Sequence, residues 1–186
     1  MKFNFDEGKT AQAAAYLVSR SGGALHYMGL IKLLYLADRQ SLIERGLPIT
    51  GDNYVSMKNG PVLSQTYGII RKTRGSDGSW GQYIGEPSQF MVPALADTST
   101  QPLDRLSPFE LRILDEVFAK YGHLDEWHLV KVTHDVCPEW EDPGASSAPI
   151  DPTDILIAAG VPMEDIEHFS KELDQIEAVR RRYARP

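Results

Sequence analysis

The sequence predicts a mainly α fold: a compact multi-helix domain around a central apolar helix, with a small antiparallel β-sheet. Three observations carry this. Residues 24–45 place Met28, Ile31, Leu34, Tyr35 and Leu42 on one helical stripe, and Leu30, Leu33 and Leu36 widen it over most of the girth. A helix apolar on that many sides is covered by neighbours on several of them. Ser107-Pro108-Phe109-Glu110 opens a second helix, with a capping serine, a proline suited to the first turn and a glutamate three residues on. Tyr54-Val55-Ser56-Met57 alternates as a short strand does.

The remaining elements follow in order. Residues 7–20 form a first helix rich in alanine, ended by Gly22-Gly23. Gly46 stops the central helix, because glycine accepts the left-handed conformation of a helix end. Residues 48–53 carry turn chemistry, and Asn59-Gly60 is a tight turn. Pro61 then reads as the first residue of a helix running to about Lys72. Residues 79–84 and 88–92 read as a small hairpin about Glu86-Pro87, and 97–102 as a polar loop. The helix opened at Ser107 runs to Tyr121, and another spans 124–136 before Pro138. Residues 141–150 are a Pro-, Ser- and Ala-rich loop. A short helix begins at Asp151-Pro152, and a last, charged one runs from Pro162 to about Tyr183. This places a domain boundary in the 141–150 loop: residues 1–142 form the domain, and 143–186 an acidic helical appendage packed on it.

With 186 residues, the chain is long enough to bury a core without a metal or disulfide. Its one cysteine, Cys137, excludes a disulfide framework and fits a reducing, cytoplasmic setting. The N-terminal MKFNFDEGKT lacks the apolar stretch of a signal peptide, and no apolar run is long enough to span a membrane. The net charge of −7 is uneven: residues 1–103 carry +2 and residues 104–186 carry −9. So acidic a balance repels phosphate backbones and argues against nucleic acid as the main ligand. It suits either solubility or a basic protein partner. Arg180, Arg181, Arg182 and Arg185 complement the C-terminal end of their helix and are too few for a nucleic-acid patch.

The residues do not assemble into an enzyme. His26, His123, His128, His134 and His168 lack the i,i+4 spacing of a helical zinc site, and the His134/Cys137 pair has no second pair of ligands. Asp135 follows His134 directly, so on a helix it points about 100° away and cannot orient the imidazole. There is no G-x-S-x-G elbow. Cys137 sits at the negative end of a helix, which raises a thiol pKa. Gly75, Gly78, Gly81 and Gly85 lack any phosphate-cradling motif. No catalytic residue, cofactor or metal is therefore expected. Tyr54, Tyr67, Trp80, Tyr83, Trp127 and Trp140 each read as core packing or as an interface anchor. Trp127 and Trp140 flank the helix that ends at Cys137, within the acidic region. With Glu141, Asp142, Glu164 and Asp165 they make an aromatic anchor rimmed by carboxylates, a face for a basic protein partner.

Four elements occur in a fixed order. They are Leu30-Ile31-Lys32-Leu33-Leu34-Tyr35-Leu36-Ala37-Asp38, the turn Leu47–Tyr54 with Gly51-Asp52 and Tyr54, the segment Met57–Val62 with Gly60-Pro61, and Val132-Thr133-His134 followed by Pro138 and Trp140. Together they resemble the SocA-like Panacea domain family over roughly residues 8–142. One departure stands out: Glu139 separates Pro138 from Trp140 where the family pattern joins proline to tryptophan. The resemblance implies an antitoxin that neutralises a cognate protein toxin by direct binding, in some members through delivery to a protease. The alternative is a phage- or host-associated adaptor without a toxin of its own. Self-association is left open. It also marks Lys32, Leu34, Tyr35, Gly51, Asp52, Tyr54, Gly60, Pro61, Thr133 and His134 as motif residues with architectural roles.

Overall fold

The computed structural model describes residues 1–95 and 102–183, without the side chains at 177, 180, 181 and 183. The expected polar loop at 97–102 lies almost wholly outside the described residues, as do Arg185 and the Arg180 and Arg181 side chains. Helix α1 (Glu7–Arg20) is followed by strand β1 (Ala24–His26), helix α2 (Tyr27–Arg45), strands β2 (Tyr54–Met57) and β3 (Gly60–Leu63), and helix α3 (Ser64–Ile70). Then come α4 (Trp80–Tyr83), β4 (Met91–Pro93), α5 (Pro108–Tyr121), α6 (Glu126–Val136), β5 (Ala148–Ile150), α7 (Pro152–Ala158) and α8 (Met163–Tyr183). Eight helices and five short strands among the described residues make the fold mainly α.

Helix α2 is the axis of the molecule. It packs against α1, α5, α6, α7, β1 and β3, and Leu30, Ile31, Leu33, Leu34, Tyr35 and Leu36 on it are all buried. Each fully buried Leu or Ile contributes about 1.5–3 kcal/mol, so this one segment supplies much of the hydrophobic drive. Ala11, Ala13, Ala14 and Ala15 give α1 a buried face of small side chains. The capping box at α5 forms as the sequence predicts: Ser107 accepts the Glu110 N–H, and the Glu110 carboxylate accepts the Ser107 N–H at 2.8 Å. The chain after residue 142 shares the same core through Ile150, Ile155, Leu156 and Ile166. Gly46, left-handed at φ 68°, leaves room for Phe169; a Cβ there would fall 2.3 Å from the ring.

Four expectations are corrected. Residues 24–26 are not helical but pair with β4, Leu25 opposite Val92; α2 starts at Tyr27, where His26 Nδ1 accepts the Met28 N–H (3.2 Å). Pro61 lies in an edge strand rather than at a helix start. In the sheet order β3-β2-β5 it faces Ser56, and on an edge its missing N–H leaves no ladder bond unmade. The hairpin arm at 79–84 is a helical turn, because the Glu7 carboxylate accepts from the Trp80 and Asp77 N–H groups (both 3.0 Å) and holds that turn's start. The end of the 141–150 loop is strand β5, antiparallel to β2 with Ile150 opposite Tyr54.

Candidate functional site

Two buried carboxylates organise the turn that follows α2. Asp38, on the helix, is fully buried. Its Oδ1 accepts the Ile49 and Thr50 N–H groups (3.0 and 2.9 Å), and its Oδ2 accepts the hydroxyls of Thr50 (2.5 Å) and Tyr54 (3.3 Å). Burial pushes this carboxyl up to about 7, against the downward pull of the Thr50 and Ile49 hydrogen bonds. Asp52 does the same one turn later. It accepts the Asn53, Gln65 and Thr66 N–H groups and the Thr66 hydroxyl, and so caps α3 from a loop. Gly51, at φ 66°, lets this loop pass the Asn4 carbonyl, which a Cβ would approach to 2.3 Å. Tyr54 meets Tyr35 edge-to-face at 5.6 Å, and both rings are buried, as is Leu34 beside them in sequence.

The second centre joins α2, the β2–β3 hairpin and α6. Lys32 is fully buried and donates to the Pro61 carbonyl at 2.7 Å. Burial lowers its pKa to about 7. Gly60, at φ 93°, sits against this amine: a Cβ would lie 2.8 Å from Thr133 Oγ1, 2.9 Å from Lys32 Nζ and 3.2 Å from the His134 ring. Any larger residue would separate the hairpin from both helices. Thr133 donates its hydroxyl back to the Val130 carbonyl (2.9 Å). His134 stacks on Trp140 at 3.9 Å; its Nε2 is buried without a hydrogen-bond partner, and burial together with nearby Lys32 lowers its pKa. An imidazole so placed favours its neutral form and packs as an aromatic.

Glu139, the residue that interrupts the Pro-Trp pair, has an anchoring place. Its side chain is wholly buried and accepts from Tyr35 Oη (2.8 Å) and Arg39 Nε (2.8 Å). Arg39 was not singled out in the sequence, and Glu139 only as a departure from the family pattern. A lone carboxylate between Pro138 and Trp140 gives no sign of a partner on a helix a hundred residues away. Asp38 did carry a signal, being an acid on a helix otherwise apolar nearly all round.

These groups hold the fold. The Cys137 thiol is buried and pushed up to about 12, chiefly by burial and then by the Glu139 charge. It is therefore a poor nucleophile. Among the described residues no three His, Cys, Asp or Glu side chains gather as a metal would require.

The proposed anchors fall in different settings. Trp127 is 61% exposed on the first turn of α6. Trp140 is half-buried and committed inward, its indole N–H donating to the Met57 carbonyl at 2.9 Å. Glu141, Asp142, Glu164 and Asp165 are exposed. No hydrogen bond or ion pair among the described residues joins them to one another or to Trp127. A cluster the sequence did not suggest lies elsewhere, at the start of α2: His26, Tyr27, Tyr67 and Phe90 meet from three segments, with neighbouring ring centroids 5.1–6.5 Å apart.

No helix among the described residues is long and apolar enough to cross a membrane. No curated protein and no solved structure matches the chain. The family model described as "Antitoxin SocA-like, Panacea domain" matches residues 30–141, a span that opens on the buried face of α2 and closes just past Trp140, and so takes in both buried centres. The chain belongs to this SocA-like, Panacea-domain family.

Proposed function

We propose that this protein is an antitoxin that neutralises a cognate protein toxin by direct, stoichiometric binding in the cytoplasm, without a catalytic step. The match to the antitoxin-like family over residues 30–141 is the observation that carries the reading. The inward placement of Lys32, Asp38, Asp52 and Thr133 supports it, because polar groups already used to hold the fold leave partner recognition to the outer surface. The buried, high-pKa thiol and the stacked His134 support a binding role over a reactive one.

Co-expression with the product of the adjacent reading frame tests the proposal. The expected result is restored growth when that product is toxic, together with a stable complex on size-exclusion chromatography. A toxic neighbour that the protein neither binds nor neutralises would overturn it. The acidic residues Glu141, Asp142, Glu164 and Asp165 serve in this reading to steer a basic partner, a contribution to association rate rather than to the contact itself.

A further inference from the structure

The side of the molecule around the start of α2 differs in character from the rest. Tyr27 lines two adjoining clefts. One, of about 130 Å³, is walled by Met28, Met57 and Tyr67, with Lys58 at its edge and Lys32 beneath. The other runs between Tyr27 and Phe90 past Arg71, Lys72 and Glu86. Lys72 pairs with Glu86, whereas Lys58 and Arg71 stand exposed with no carboxylate partner among the described residues. Arg71 lies 5.9 Å over the Tyr27 ring. In a chain of net charge −7, this stretch carries unpaired positive charge beside exposed aromatic surface. Besides Glu86, paired with Lys72, one further acid, Glu126, reaches its margin, 4.0 Å from His26 Nε2.

A second, independent feature marks the same place. Gln89 and Phe90 are both left-handed, at φ 49° and 69°, in a two-residue turn closed by reciprocal Ser88–Met91 hydrogen bonds of 2.9 Å. That turn type is normally filled by Asn-Gly because of its positive φ angles. Here it strains two larger residues and leaves Phe90 61% exposed. The Phe90 carbonyl accepts the Tyr27 N–H (2.8 Å), which locks the strained turn to the helix start. Strain held in place by its surroundings collects at binding sites. An exposed phenyl ring on a fixed turn, beside adaptable methionines and tyrosines, has the makeup of an interface hot spot.

We infer that this double cleft is a docking groove for an acidic segment of a protein partner, one aromatic or aliphatic side chain of which enters the Met28–Met57–Tyr67 cleft while its carboxylates meet Lys58 and Arg71. The inference rests on the protein-binding reading above and adds a face and the chemistry of the one segment it takes, distinct from the basic surface that Glu141, Asp142, Glu164 and Asp165 would steer. A nucleic acid fits less well. Two unpaired bases neutralise few phosphates, and the net charge of the chain opposes a polyanion.

The test uses the full chain and a random-peptide display library. Selected peptides should place Asp or Glu beside Phe, Tyr, Trp or Leu. Their binding should weaken at least ~10-fold in Phe90→Asn, which keeps the left-handed turn, and in the Lys58→Glu/Arg71→Glu pair. It should stay unchanged in Glu141→Lys/Asp142→Lys. Selection of basic peptides, equal binding by the groove variants, or displacement of the peptides by a poly-dT oligonucleotide would overturn the inference. Co-expression separates it from the antitoxin reading. Growth rescue that survives the groove substitutions removes the groove and leaves the antitoxin. Groove-dependent peptide binding without rescue removes the antitoxin and leaves the groove.

Discussion

Two groups of charged side chains in this protein live in opposite conditions. Lys32, Asp38 and Asp52 are buried, and each is met by a backbone or hydroxyl partner from another segment. Glu141, Asp142, Glu164 and Asp165 stand in solvent. The first group is costly to place in the interior and is tolerated only because its hydrogen bonds are made there. The second costs little and does little for stability. The lesson is that the residues which identify the family build its frame.

The largest effect should come from breaking the buried side. Asp38→Ala leaves the Ile49 and Thr50 N–H groups and the Thr50 and Tyr54 hydroxyls without their acceptor. We expect a loss of about 3–5 kcal/mol by urea denaturation, a large part of the ~5–15 kcal/mol typical of a whole domain. A loss under about 1 kcal/mol would show that the network is not needed. Leu34→Ala on the same helix should cost roughly 2–5 kcal/mol through its cavity, whereas Ile157→Ala, at an exposed position, should change stability by less than about 0.5 kcal/mol.

The pH dependence sharpens the comparison. Asp38 has a folded pKa of about 7, above the ~3.9 of an unfolded aspartate. The native state therefore holds the extra proton between those values, and the Asp38 contribution falls as pH rises from about 4 through 7. Lys32 has a folded pKa of about 7, below the ~10.4 of an unfolded lysine. The unfolded state holds the extra proton there, so the Lys32 contribution rises with pH from about 7 to 10. Thermal melts should show Asp38→Asn gaining on the wild type from pH 4 to 7. Lys32→Met should instead lose the wild type's gain above pH 7. Parallel curves for variant and wild type would mean that these groups do not titrate across those ranges.

The smallest effect belongs to the exposed side. Glu164→Lys with Asp165→Lys should shift stability by no more than about 0.5 kcal/mol. If these acids steer a basic partner, stopped-flow association with the toxin should slow at low salt and converge with wild type at high salt. An unchanged rate at every ionic strength would leave them with solubility alone.

Much of the fold was legible because helices are written locally. The Ser107–Glu110 capping box, the stop at Gly46 and the apolar girth of residues 30–36 involve groups within a few positions of one another, and each forms as expected. The strands were read less well. Pro61 satisfies the local rule for a helix start, yet pairing with β2 places it in an edge strand, and Asp52 caps the helix three residues later. Residues 79–84 looked like a strand until the Glu7 carboxylate, more than seventy residues earlier, turned them into a helix start. The motif residues read as an architectural set, but the partners of each were not legible. That Gly60 must be small is visible only once Lys32, Thr133 and His134 surround it.

The sequence by itself determined the mainly α class, the central helix, most helix limits and the family, since each depends on short-range periodicity, caps or ordered motifs. Tertiary structure alone decided which charges are buried, why Glu139 can interrupt its motif, and that Tyr27, Tyr67 and Phe90 form one surface. The reason is distance along the chain. Tyr35 finds Glu139 across 104 positions, and the groove draws on four separate segments. Nothing in a local pattern records which remote partner will satisfy a buried hydroxyl or complete an exposed aromatic row.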